Sequence, residues 1–171
     1  MSHDYSKFNI DILYKDDDLL VLNKPSGLIT HPDGRTDEPS LSEWLSINFP
    51  ETVNVGEPIN YSDGRVINKP GIVHRLDRET SGAIVVARSQ KSFLNLKEQF
   101  QNRKVRKLYN TFVWGELKED EGKVDRVIGR SSKDPRLWSA QRGAKGTLRE
   151  ALTMYKVLWK GKGISFVETE P

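Results

Sequence analysis

"GIVHRLDRETSGAIVVARS", residues 71–89, sets one carboxylate, Asp77, between two arginines, Arg75 and Arg78, in a run otherwise apolar and punctuated by glycine. Its second half, "AIVVARS", is a compact β-branched block that reads as a buried strand, and Ser89 is placed to cap the helix that follows. "RETSG" reads as a turn-like break ahead of that strand. In an extended segment Arg75 and Asp77 point to the same face, so an ordinary strand ion pair is one explanation of the charge. The setting supplies another. A turn beside a buried strand is a partly desolvated place, where a lone carboxylate tends to protonate and flanking guanidinium groups hold it ionised. An ionised, positioned carboxylate is what covalent or general-base chemistry needs.

Working outward, "IDILYKDDDLLVLNK" gives two short apolar runs around Asp16, Asp17 and Asp18, a hairpin with acidic turn residues. "NKPSGLITHPDG" is a loop by its Pro and Gly content. "SLSEWLSINFP" starts a short helix at Ser40, with Glu43 three residues on as a capping box and Pro50 as the stop. Residues 51–71 read as a long loop, which in a compact domain is functional or mobile. After Ser89, Phe93, Leu96 and Phe100 recur at helical spacing, and the basic cluster "RKVRK", residues 103–107, meets the helix's negative end, a sufficient structural reason for it. "KLYNTFVWGEL" alternates, with Tyr109, Thr111 and Val113 on one face and Asn110, Phe112 and Trp114 on the other. "KVDRVIGR", "LREALTMYKVLWK" and "ISFVE" read as further strands, with "GKG" at 161–163 as a hairpin turn. About seven strands and two helices make an α+β domain.

The chain has 171 residues, no cysteine and no apolar run long enough to cross a bilayer, and it opens with a short polar lead-in at 1–9. Those features predict one soluble, cytosolic globular unit whose chemistry comes from carboxylate, hydroxyl, imidazole or amine groups. Charge is uneven: residues 1–70 carry 6 Lys/Arg against 12 Asp/Glu, and residues 71–171 carry 21 against 12. The basic second part suits an anionic partner, nucleic acid first, with a merely solvated basic surface as the alternative. His3, His31 and His74 are scattered, so no metal site is expected, and neither a nucleophile elbow nor a P-loop is present.

"GIVHRLDRETSGAIVVARS" closely resembles the signature of the RluA-type pseudouridine synthases. "DDLLVLNKPSGLITHP" is similar to that family's opening motif, "KVRKLYNTFVWGEL" to its K-x-Y segment, and "EGKVDRVIGR" to the strand and loop that follow. The resemblance covers residues 10–171 and implies the synthase's α+β catalytic domain: a mixed, largely antiparallel sheet with a few flanking helices, without a preceding S4-type RNA-binding domain. It implies Asp77 as the catalytic aspartate, acting at the ribose of a target uridine so that uracil detaches from nitrogen, rotates and rejoins through carbon. Neither cofactor nor metal is implied. The partner is structured ribosomal or transfer RNA. Arg75 maps onto the arginine that fills the gap left by a flipped uridine, offsetting some of the few kcal/mol that flipping costs. Tyr109 maps onto the tyrosine that stacks on uracil, although without the motif it reads as a cross-strand aromatic. Lys107 and Arg78 join the substrate side, and Arg103, Lys104 and Arg106 are candidate phosphate contacts. Some of Arg126, Arg130, Arg136, Arg142 and Lys145 are too. Trp138, in the basic stretch, is either an RNA-stacking group or a packed or exposed side chain.

Family members continue after a strand like "ISFVETEP" into a segment resembling KTGRTHQIR, whose arginine pairs with the catalytic aspartate. This sequence stops at Pro171. A domain incomplete at its C-terminus, lacking that counterion and one cleft wall, is therefore expected to be weakly active or inert. Two other classes compete. A noncatalytic RNA-binding protein needs no Asp77, Arg75 and Tyr109 together, and a glycosidase needs a second carboxylate, for which Glu79 is poorly placed.

Overall fold

The computed structural model describes residues 3–32, 37–60, 64, 66–134, 137–140 and 144–171. In the first part of the chain the elements are β1 (Asp11–Lys15), β2 (Leu19–Lys24), α1 (Leu41–Asn48), β3 (Ile59–Asn60), β4 (Val66–Ile67), β5 (Gly82–Ala87) and α2 (Gln90–Gln101). Strict alternation in "LLVLNK" buries Leu20, Leu22 and Lys24 on one side of β2. Antiparallel β1 and β5 flank it. The expected β1–β2 hairpin forms because the Asp16 carboxylate accepts the amides of Asp18 and Leu19 at 2.8 and 2.6 Å, an Asx turn. Ile84 and Val86 of β5 join Leu20 and Leu22 in a core completed by Leu28, Leu41, Leu45, Phe49, Ile72, Leu76 and Phe93.

Two expectations for this part are revised. Ser40 does cap α1, its hydroxyl accepting the Glu43 amide at 3.2 Å, but Glu43 does not return the bond. Its carboxylate accepts from the Tyr5 hydroxyl and pairs with His3, and the Ser40 amide donates to Tyr5 instead. The stretch 51–71 is not all loop: a 3₁₀ turn at Pro50–Thr52 leads into it and the β3–β4 pair lies in it. Helix α2 is capped at Ser89 as expected, with Ser92 completing a reciprocal box. It ends before the basic cluster. Arg103 sits at a left-handed φ of 54°, the Lys104 amide reaches back to Gln99 at 2.9 Å and the Arg103 amide to Phe100 at 3.2 Å, so the helix closes in a Schellman turn.

The chain forms two units, residues 1–105 and 106–171. The second begins with β6 (Tyr109–Trp114) and continues through β7 (Glu121–Asp125), β8 (Ile128–Arg130), β9 (Trp138–Ser139), β10 (Lys145–Arg149), β11 (Leu152–Gly161) and β12 (Ile164–Glu170). Antiparallel pairing gives a four-stranded sheet, β6-β12-β11-β7, and a three-stranded one, β10-β8-β9. Lys162 and Gly163 turn β11 into β12, both at positive φ, in the hairpin expected from "GKG". The run "LREALTMYKVLWK" is divided between β10 and β11 at Glu150 and Ala151, and the two strands belong to different sheets. Val167 and Ser165 are buried in the larger sheet, and the Ser165 hydroxyl donates to the Gly115 carbonyl at 2.9 Å and accepts the Leu117 amide at 3.0 Å, fixing the exit from β6. Among the described residues no helix is long and apolar enough to cross a membrane.

Candidate active site

In the turn before β5, Leu76 is buried while Arg75, Asp77, Arg78 and Glu79 are exposed. The alternation expected for Arg75 and Asp77 holds, with both on the outer side. The desolvated setting does not. Nor do the arginines clamp the carboxylate: Arg78 pairs with Glu38 at 2.6 Å, and neither Arg75 nor Arg78 forms an ion pair with Asp77. Burying Leu76 turns its two neighbours to the surface, because one-residue alternation leaves no other choice.

What holds the turn is a lysine that sequence reasoning assigned no role. Lys24 continues the inward series of Leu20 and Leu22, fully buried, and its ammonium donates to the carbonyls of Leu28 at 2.7 Å, Pro25 at 2.9 Å and Arg78 at 3.1 Å. Three acceptors match the three donors of an ammonium. Thr30, also buried, donates to the Leu76 carbonyl at 2.7 Å and accepts the Leu76 amide at 3.3 Å. The Gly27 amide donates to Arg78 and the Ser26 hydroxyl to the Glu79 carbonyl, while Thr80 N–H closes the turn on the Asp77 carbonyl. Residues 24–30 thus clasp the backbone on both sides of Asp77. Burial pushes the Lys24 ammonium down from its ordinary value, against the opposing pull of the Glu79 and then the Asp77 carboxylate. The signal available in the sequence was a lysine at the third inward position of an alternating strand.

Beside Arg75 lie His31 and Lys69. Burial, reinforced by the charges of Lys69 and Arg75, pushes the His31 imidazole down to about 3, and its Nδ1 is buried without a hydrogen-bond partner among the described residues. Burial and then Arg75 likewise lower Lys69. Groups that depress one another's protonation in this way gain when an anion arrives. His74 is differently employed: its Nε2 accepts the Val85 amide at 3.1 Å and its ring stacks on Phe100. A hollow of about 580 Å³ in the same unit is lined by His3, Asp37, Glu38 and Glu43; its acidic wall is unsuited to a phosphate, and Asp77 is not among its lining residues.

The remaining candidates divide between the units. Arg103 is exposed in the first, without an ion pair among the described residues, whereas Lys104 there meets Glu98 at 3.3 Å. In the second, Arg106 is held by Glu170 through bonds of 3.0 to 3.1 Å, and Lys107 is exposed. Tyr109 opens β6 opposite Thr169, on the side shared with Thr111 and Val113. Arg130 ends β8. Arg136 and Arg142 lie outside the described residues.

A family model described as RNA pseudouridylate synthase matches residues 18–171. The chain belongs to that family. It carries the α+β synthase fold expected of the RluA type: the human RNA pseudouridylate synthase domain containing 1 superposes with a TM-score of 0.70 at 25% identity, over 95% of this chain and 59% of its own. An Aquifex aeolicus (strain VF5) protein named as an uncharacterized RNA pseudouridine synthase is 37% identical over 150 residues, 87% of this chain and 43% of its own. The ribosomal large subunit pseudouridine synthase D of Borreliella burgdorferi is 30% identical over 168 residues, covering 97% of this chain and 48% of the relative. The chain therefore spans about half the length of the curated synthases it matches.

Proposed function

We propose that this chain is part of an RNA pseudouridine synthase of the cytosol, acting on a uridine of ribosomal or transfer RNA, with residues 10–171 forming the N-terminal and central part of the catalytic domain. The observation that carries the reading is the match over residues 18–171 combined with the clasp that presents Asp77 outward on a fixed turn. The reaction is an isomerisation: the N1–C1′ bond breaks, a C5–C1′ bond forms, C5 loses a proton and N1 gains one. Asp77 serves as the nucleophile or base at the ribose. An exposed carboxylate suits a substrate that itself covers the site, since water leaves when a flipped nucleotide enters. Arg75 occupies the gap in the RNA stack, with the Lys69 ammonium behind it adding to a positive field for the adjoining phosphate. Tyr109 stacks on the uracil, and Lys107 and Arg78 bind the nucleotide on the substrate side. Arg103 and Arg130 contact backbone phosphates; Lys104 and Arg106 do so by exchanging Glu98 and Glu170 for phosphate.

The test is direct. The full-length synthase that contains this chain and its Asp77→Asn variant are incubated with uridine-containing ribosomal and transfer RNA, and pseudouridine is mapped at single-nucleotide resolution. Site-specific product from the parent chain, absent with Asp77→Asn while RNA affinity is retained, supports the assignment; equal product from both removes Asp77 from the chemistry.

A further inference from the structure

Trp138 on β9 and Arg149 on β10 flank β8 from opposite sides, yet the Arg149 guanidinium lies 5.1 Å from the Trp138 ring centre. Arg130, on the strand between them, lies 4.5 Å from it. Register explains the convergence: Arg130 pairs with both Trp138 and Lys145, and Arg149 pairs with Ile128 two residues away, so all four polar and aromatic side chains share one face. The other face is differently closed, because Leu148 packs over Gly129, where an added Cβ would meet it at 2.8 Å.

The indole is held in place from two strands and still remains 43% exposed, with Arg130, Lys145 and Arg149 exposed around it. Neither Lys145 nor Arg149 has a carboxylate partner among the described residues. Elsewhere in the same unit Arg106, Lys156 and Lys160 each have one. An immobilised, half-open aromatic beside the unneutralised Lys145 and Arg149 matches a ligand that offers a planar ring and flanking negative charges together. Single-stranded RNA offers both. A duplex hides its base faces within the stack, and an acidic peptide has no use for the indole.

We propose that the β8–β9–β10 face is a contact for single-stranded RNA, an unpaired base stacking on Trp138 while Lys145 and Arg149 take the phosphates on either side. The assignment rests on RNA being the substrate class, and it is independent of Asp77. The face sets affinity for an unpaired segment of the substrate and contributes no group to the bond rearrangement.

Fluorescence anisotropy with a labelled ten-nucleotide oligouridine, the same strand paired in a duplex, and polyglutamate as an anionic protein-like competitor tests it on the 171-residue chain. Trp138→Ala and Trp138→Leu are expected to weaken oligouridine binding roughly tenfold or more, Trp138→Phe to retain it, and duplex binding to stay unchanged. The double substitution Lys145→Ala and Arg149→Ala is expected to reduce the log–log salt slope by about 1.4. Thermal melts identify which variants fold, and the Leu variant serves if the Ala variant does not. Wild-type oligouridine affinity in a folded Trp138→Leu chain overturns the proposal, as does an equal loss for oligouridine, duplex and polyglutamate. Absence of pseudouridine with Asp77→Asn or with the parent chain leaves this assignment standing, since binding is measured without turnover.

Discussion

The amide of Ala87 donates to the carbonyl of Gly71 at 2.8 Å, and a Cβ placed on Gly71 would lie 2.0 Å from the Ala87 carbonyl oxygen. Gly71 also has φ of 63° and donates its own amide to Val55. The obstacle is backbone, so no side-chain rotation relieves it. Gly71→Ala is expected to lose about 4 kcal/mol or more, read from urea denaturation midpoints.

Lys24 is replaceable in volume by methionine but not in hydrogen bonding. Lys24→Met removes the ammonium donor from the carbonyls of Pro25 and Leu28 and leaves that of Arg78 with the Gly27 amide alone. Because an unpaired buried acceptor costs about 1 to 3 kcal/mol, the expected loss is roughly 3 kcal/mol after partial relaxation. Faster amide exchange at Gly27 and Thr80, measured by NMR, is the local sign that the Asp77 turn has loosened.

Arg103 closes α2 in a conformation that suits glycine. Arg103→Gly is expected to raise stability by about 1 kcal/mol, since a side chain in the left-handed region costs that order. The same substitution removes an exposed cation that has no carboxylate partner among the described residues, so if Arg103 takes a phosphate as proposed, salt-dependent RNA binding weakens as the melting temperature rises. Opposite signs in the two measurements are the check.

His31 predicts an acid dependence with a definite sign. Its folded imidazole is lowered from 6.5 to about 3, so between those values the unfolded chain takes up a proton that the folded chain does not. Stability falls as pH falls through that window, by up to about 1.4 kcal/mol per pH unit from this residue. His31→Gln should flatten the corresponding part of a urea-melt series between pH 6.5 and 4, leaving the carboxylate contribution.

Local rules were readable where neighbours in sequence decide the outcome. The Asp16 turn, the Ser89 cap and the alternation of Tyr109 with Phe112 are of this kind, and each formed as expected. Expectations needing partners distant along the chain fared differently. Glu43 lies at capping-box spacing but is taken by Tyr5 and His3, and Arg78 prefers Glu38 to its sequence neighbour Asp77. Trp138 was left open between stacking and packing because its surroundings depend on strand order, which sets Arg149 across β8 from it. Lys24 passed unremarked since only the folded turn supplies its acceptors.

The clasp also imposes a timetable on synthesis. Lys24 and Arg78 are 54 positions apart, so Asp77 has no fixed place while the chain is still emerging and only the earlier half of the clasp exists. Joining the ends of so long a loop costs roughly 3 to 4 kcal/mol of chain entropy, which intervening pairs such as β2 with β5 must repay first. A nascent chain halted before residue 78 therefore carries Asp77 without the turn that holds it.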